Sequence, residues 1–194
     1  MEAAVGREIQ PIYGFGLAHE MDVLMPTLKR YLPELRFPNY QFVPGRHPHP
    51  SRDPDGHSFG VERSAPAYLP PSQWSSSRDY LFGVDLYNYG YFWEAHEAWE
   101  ELWLAARDKG DQTQTLFLQS LIQLSAARLK LPMSQPTGFY KLAKVAQEKL
   151  SVVIKAEAIY MGIDLIDFTQ RWQAFVISKG TGVGPDIFLA FENS

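Results

Sequence analysis

The chain contains no cysteine, which excludes disulfides, zinc knuckles and thiol nucleophiles. Nowhere does it have an apolar run approaching the roughly 20 residues that a membrane-spanning helix needs. It also lacks any run of four or more Lys/Arg, and its formal net charge is -4. A nucleic-acid backbone or an anionic membrane surface calls for the opposite sign, so neither is an expected partner. The opening stretch MEAAVGREIQPIYGFG has acidic residues and no long apolar core. It does not read as a signal peptide, and a cytoplasmic protein is the default expectation.

What is present is core material. Of 194 residues, 45% are hydrophobic and 14% aromatic, which rules out global disorder and suits one domain with an appended arm. Residues 17–32 carry apolar positions at helical spacing, with Pro26 predicted to kink or restart the helix. Nine of the 14 prolines then fall in residues 33–71. Interior prolines remove a helix donor and clash with the preceding turn, so this segment is not regular helix. Its aromatics Phe37, Tyr40, Phe42, Phe59 and Tyr68 are anchors that a flexible linker seldom carries, so an ordered extended arm is expected.

Beyond a polar break at Ser75, Ser76 and Ser77 the pattern is helical. The spacing predicts helices over 78–89, 91–107 and 113–131, with Lys109-Gly110-Asp111 as a turn and Pro132 as a stop. A fourth helix is predicted from a Thr137 N-cap to about residue 159, with Phe139, Leu142, Ala146, Leu150 and Val153 on one face. A short fifth, capped by Asp164 or Asp167, holds Phe168, Trp172 and Phe175. After a Gly/Pro loop from Lys179, an apolar end is expected to dock. The expected fold class is all-α, a compact bundle of about four to five helices with an extended Pro-rich arm packed on it. Residues 1–78 form the N-terminal helix and arm, residues 79–194 the helical core, and the two make one structural unit.

Two helices carry polar chemistry. In the second, Tyr91, Phe92, Ala95, Ala98, Trp99, Leu102, Trp103 and Ala106 fill one broad arc, with His96 and Glu100 at its edge. Glu94, Glu97 and Glu101 form a separate row. A helix that is apolar nearly all round is buried, so some of these acids must be paired or have raised pKa values. The third helix is apolar except for one stripe of Gln119, Gln123 and Lys130. A lone polar stripe needs polar partners, and His96 and the acids of the preceding antiparallel helix are the nearest.

His96 and Glu100 have the i,i+4 spacing of metal ligands on one helix face, although two are too few and Glu100 stands where a His-Glu-x-x-His motif has its second His. The candidate catalytic residues are His96, Glu97 and Glu100, while Glu94 and Glu101 could be plain solvation or capping. In the arm, PGRHPHPSRDPDGHS presents His47, His49 and His57 beside Arg46, Arg52, Asp53 and Asp55. Alternating prolines hold such a loop extended, and Asp55-Gly56 suits a tight turn. Candidate ligand-binding residues are His49, Arg52, Asp53, His57, Gln119, Gln123 and Lys130, with Arg52 and Lys130 set to take a substrate's negative charge. His19 reads as a surface residue.

The segments GYFWEAHEAWEELW at 90–103 and FLQSLIQLSAARLKL at 117–131 resemble the domain of unknown function 309 family of small helical proteins, over roughly residues 80–155. The pattern carries over to Glu94, His96, Glu97, Glu100 and Trp103, then Gln119, Gln123 and Lys130; Ser120 departs from a common Gly. The arm motif looks like a segment found in family members with longer N-termini. The resemblance implies an all-α fold and supplies no activity.

Two functions stay open. One is an enzyme, an acid/base or metal-assisted hydrolase on a small polar or anionic substrate, for which a divalent metal is the candidate cofactor. The other is a non-catalytic module that binds a ligand or a partner protein, with the polar cluster purely architectural. Surface aromatics could also form a homodimer face.

Overall fold

A computed structural model of the chain describes residues 28–62, 64–178 and 187–192. The expectations for residues 17–27, His19 and the Gly/Pro loop after Lys179 lie wholly or largely outside these. Among the described residues five α-helices follow one 3-10 helix, Pro71–Ser76: α1 Arg78–Asn88, α2 Phe92–Lys109, α3 Gln112–Lys130, α4 Pro136–Ala156 and α5 Leu165–Ser178. The fold is all-α apart from a two-residue-per-strand hairpin.

Local chemistry sets the helix ends. Gly110 closes α2 in the left-handed conformation at φ 82°, where a side chain would be strained. Asp111 then caps α3 by accepting the Gln114 N–H at 2.9 Å. Helix α4 begins at Pro136, with Gln135 as its N-cap, rather than after a Thr137 cap. Proline is suited to a first helical position because its fixed φ is helical and its missing N–H would have no intrahelical acceptor there. Helix α4 also ends earlier than the apolar spacing suggests, because Glu157 turns extended. Ile159–Tyr160 (β1) then pairs antiparallel with Ile163–Asp164 (β2). Met161 and Gly162 both have positive φ, as a two-residue hairpin turn requires. A Cβ on Gly162 would lie 2.5 Å from the Trp74 ring, so the turn packs face-on against the 3-10 helix. The Asp164 side chain accepts the N–H groups of Ile166 and Asp167, which makes it the cap of α5.

Helix α3 packs against both α2 and α4, and α1 packs against α2. Trp99, Trp172, Tyr80, Phe117, Phe139 and Phe168 are fully buried between them. Where α1 crosses α2, a Cβ on Gly83 would meet the Trp99 indole nitrogen at 2.2 Å, so the close approach depends on glycine. The chain end docks as the apolar pattern predicts. Ile187, Leu189 and Phe191 are buried, and Asn88 exchanges two 2.8 Å hydrogen bonds with the Leu189 backbone.

The segment before α1 is irregular and winds through successive turns over residues 44–60 rather than running extended, because backbone N–H groups such as those of Asp53, Gly56 and Ser58 bond carbonyls of the same loop. Two buried carboxylates are among the groups that fasten it. Asp85, fully buried on α1, accepts the Tyr31 N–H at 2.8 Å, the Leu32 N–H at 2.9 Å and Arg30 Nε at 3.2 Å. Farther along, Phe42 is buried and its N–H donates to Glu94 Oε1 at 2.9 Å. Phe37 stacks on Tyr91 with centroids 4.9 Å apart. No helix among the described residues is long and apolar enough to cross a membrane.

Candidate functional site

Helix α2 presents polar groups on two sides, and the arm crosses one of them. On that side His57 Nε2 lies 3.0 Å from Glu94 Oε1, with the two side chains 6% and 5% exposed. Glu94 Oε1 thus has two partners, His57 and the Phe42 N–H, whereas buried Oε2 has none among the described residues. An ionised carboxylate accepts only, so the proton of this bond is on His57 Nε2, while Nδ1 lies 3.1 Å from the Ser58 hydroxyl. The pair opens on a cleft of 470 Å³ that Asp79, Glu97 and Glu101 also line. Its charge is strongly negative, which repels a free anion and attracts a cation.

On the adjoining side, His96, Glu97 and Glu100 each offer a ligand atom, all within 4.8 Å of one another. His96 Nε2 is 3.9 Å from Glu100 Oε2, and the side chains are 29% and 46% exposed. That leaves room for water beside them. Glu97 belongs both to this cluster and to the cleft lining. Burial lowers the His96 pKa below the usual histidine value; the Glu100 charge and a hydrogen bond to the Ile122 backbone act in the opposite sense. The imidazole is therefore neutral near pH 7 and can ligate a metal without first losing a proton. In the window between the lowered folded pKa and about 6.5, the unfolded chain binds more protons at this site. The stability contribution of His96 therefore falls as the pH falls through that window. A histidine ring-proton NMR titration is expected to place the His96 midpoint below the ordinary imidazole value of about 6.5; a midpoint at or above that value would contradict the buried setting.

Residues 80–142 match the family model described as domain of unknown function (DUF309). The chain resembles the DUF309 family over this segment. No curated protein matches the chain. The segment matching DUF309 contains Glu94, His96, Glu97 and Glu100 and the whole of α3, whereas His57 and the rest of the arm lie outside it.

The sequence-predicted residues do not all converge. Of the arm residues, His57 reaches α2, but its bonded partner is Glu94 rather than His96 or Glu100. Glu94 is not a solvated or purely capping acid, because the arm covers it; Glu101 is exposed. The His49 ring packs against Phe42 and Trp93, at 5.3 and 5.6 Å. Asp53 organises its own loop, accepting the Asp55 N–H at 3.0 Å, and Arg52 is exposed. The Gln119, Gln123 and Lys130 stripe makes no hydrogen bond or ion pair to the α2 acids among the described residues. The Lys130 stem instead crosses Gly138 on α4, where an added Cβ would meet it at 3.3 Å. Gln123 Oε1 is buried without a partner. Sequence spacing missed Asp85 and undervalued Glu94. A charged residue between Val84 and Leu86 in an apolar helix was the available signal for the first.

Proposed function

We propose that the chain is a metal-assisted hydrolase of small polar substrates, with a divalent cation held by His96 and Glu100 and with Glu97 as the base. The observation that carries this reading is the convergence of three ligand atoms within 4.8 Å on one stretch of α2. Two protein ligands are fewer than the three usual at a catalytic metal, so water and substrate on the partly open rim would complete the coordination. A cation held there would supply a more acidic water, and Glu97 would take that water's proton. As oxygen adds to the substrate's carbon or phosphorus, the bond to the leaving group would break and Glu97 could return the proton to it. The substrate would sit in the cleft that Glu97 lines. The cation would also offset the negative lining, which otherwise disfavours an anionic substrate.

Thermal melts with added Zn²⁺ or Mn²⁺ test the site. The wild type is expected to be stabilised saturably, and His96→Ala and Glu100→Gln to bind at least about tenfold more weakly. A wild type that shows no metal-dependent change sinks the reading.

A second reading rests on a different observation, the buried His57–Glu94 pair. In it the polar residues of α2 are architectural and fasten the arm, and the protein is a non-catalytic binding module. It predicts that His96→Ala leaves both metal response and ligand binding unchanged.

A further inference from the structure

The other side of the arm bounds a second cleft, of 650 Å³, whose lining includes Arg46, His47, Tyr91, Phe92 and Arg128 and no carboxylate. This is opposite in charge to the cleft at Glu94, which lies in the first turn of the same helix. Three features converge here. Arg128 comes from α3 with its guanidinium 4.8 Å from the Phe92 ring centroid and 4.6 Å from that of Phe175. Its Nη1 is buried without a well-formed hydrogen bond among the described residues, although the buried Tyr87 hydroxyl is near enough for Arg128 to act on its pKa. Arg46 comes from the arm and donates through Nη2 to the Pro132 carbonyl, which fixes the guanidinium at the rim. Neither arginine forms an ion pair among the described residues. Between them lies the start of α2, where Gly90, Tyr91 and Phe92 line the cleft and the Tyr91 N-cap makes no side-chain capping bond.

A buried guanidinium donor without an acceptor is costly unless something supplies one. An uncapped helix N-terminus carries partial positive charge and unsatisfied N–H groups aimed outward. Arginine presents paired donors that match the oxygens of a phosphate. We infer that this cleft binds a phosphate-class oxyanion, either the free ion or the headgroup of a small organic ligand, between Arg46, Arg128 and the first turn of α2. The aromatic walls Tyr91 and Phe92 and a volume within the usual range for small-molecule sites leave room for an organic body beside the headgroup. The inference is independent of the metal reading, since none of its residues belongs to the His96 cluster.

Calorimetric titration of the full chain with inorganic phosphate and with phenyl phosphate, at matched ionic strength, tests it. Wild type is expected to bind at least one of them saturably at one site. Phenyl phosphate binding tenfold tighter than phosphate would support an organic phosphate as ligand, and equal affinities the free ion. Arg46 is exposed, so Arg46→Glu is expected to keep the ligand-free melting temperature while weakening binding at least tenfold. Arg128→Met should abolish binding, and His96→Ala should leave it unchanged. Absence of saturable binding by the wild type, or equal affinity in Arg46→Glu, would overturn the site.

Discussion

Replacing Glu94 with alanine is expected to lower the free energy of unfolding by about 3 kcal/mol, because it strips the acceptor from two buried donors at once. The Phe42 N–H and His57 Nε2 both donate to Glu94 Oε1, and Phe42 and the His57 side chain are largely buried. The loss falls on the arm. Besides a lower urea midpoint, the variant is expected to be cleaved faster by protease between residues 40 and 60 under native conditions. Glu101→Ala is the matched control. That acid is exposed, and its removal is expected to change stability by less than about 0.5 kcal/mol. Equal midpoints for Glu94→Ala and wild type would mean that the arm is not fastened through this carboxylate.

Asp85→Ala is expected to be more damaging still, at about 4 kcal/mol, since the alanine leaves a guanidinium and two backbone N–H groups without their shared acceptor. Arg30 is held on its other side by the Phe37 ring, 3.9 Å from the guanidinium carbon, and donates to the Leu32 and Leu35 carbonyls. It therefore cannot simply swing into solvent without breaking those contacts. Asp85→Asn keeps one carbonyl oxygen but directs an amide N–H₂ toward existing donors, so an intermediate loss is expected. Urea unfolding followed by tryptophan fluorescence reads both variants. A loss below about 1 kcal/mol for Asp85→Ala would show that the donors find water instead.

The two carboxylates differ in how readable they were. Asp85 interrupts an apolar helix at a position that a 3.6-residue period assigns to the core, and a buried acid must be bonded. Its donors, the backbone of Tyr31 and Leu32, lie more than fifty residues away and leave no mark on a sequence. Glu94 shares its row with Glu97 and Glu101, and nothing local distinguishes the three. The arm's path buries the first and leaves the last exposed. Arg128 and Lys130, two residues apart on α3, differ for the same reason. One stands between aromatic rings at a cleft, and the other lies along α4.

The sequence by itself determined the all-α class, the four long helices to within a few residues, and the neighbourhood of His96 and Glu100 on one helix. These follow from the apolar period, from glycine and proline at the ends, and from i,i+4 spacing, all of which are properties of one helix. Only the tertiary structure decided that His57 meets Glu94, that Asp85 holds residues 30–32, and that acidic and basic clefts lie on opposite sides of the arm. Each depends on where a turn-rich segment without helical period crosses α1 and α2. That path is set by burial and hydrogen bonding between residues far apart in the chain, which no short-range pattern encodes.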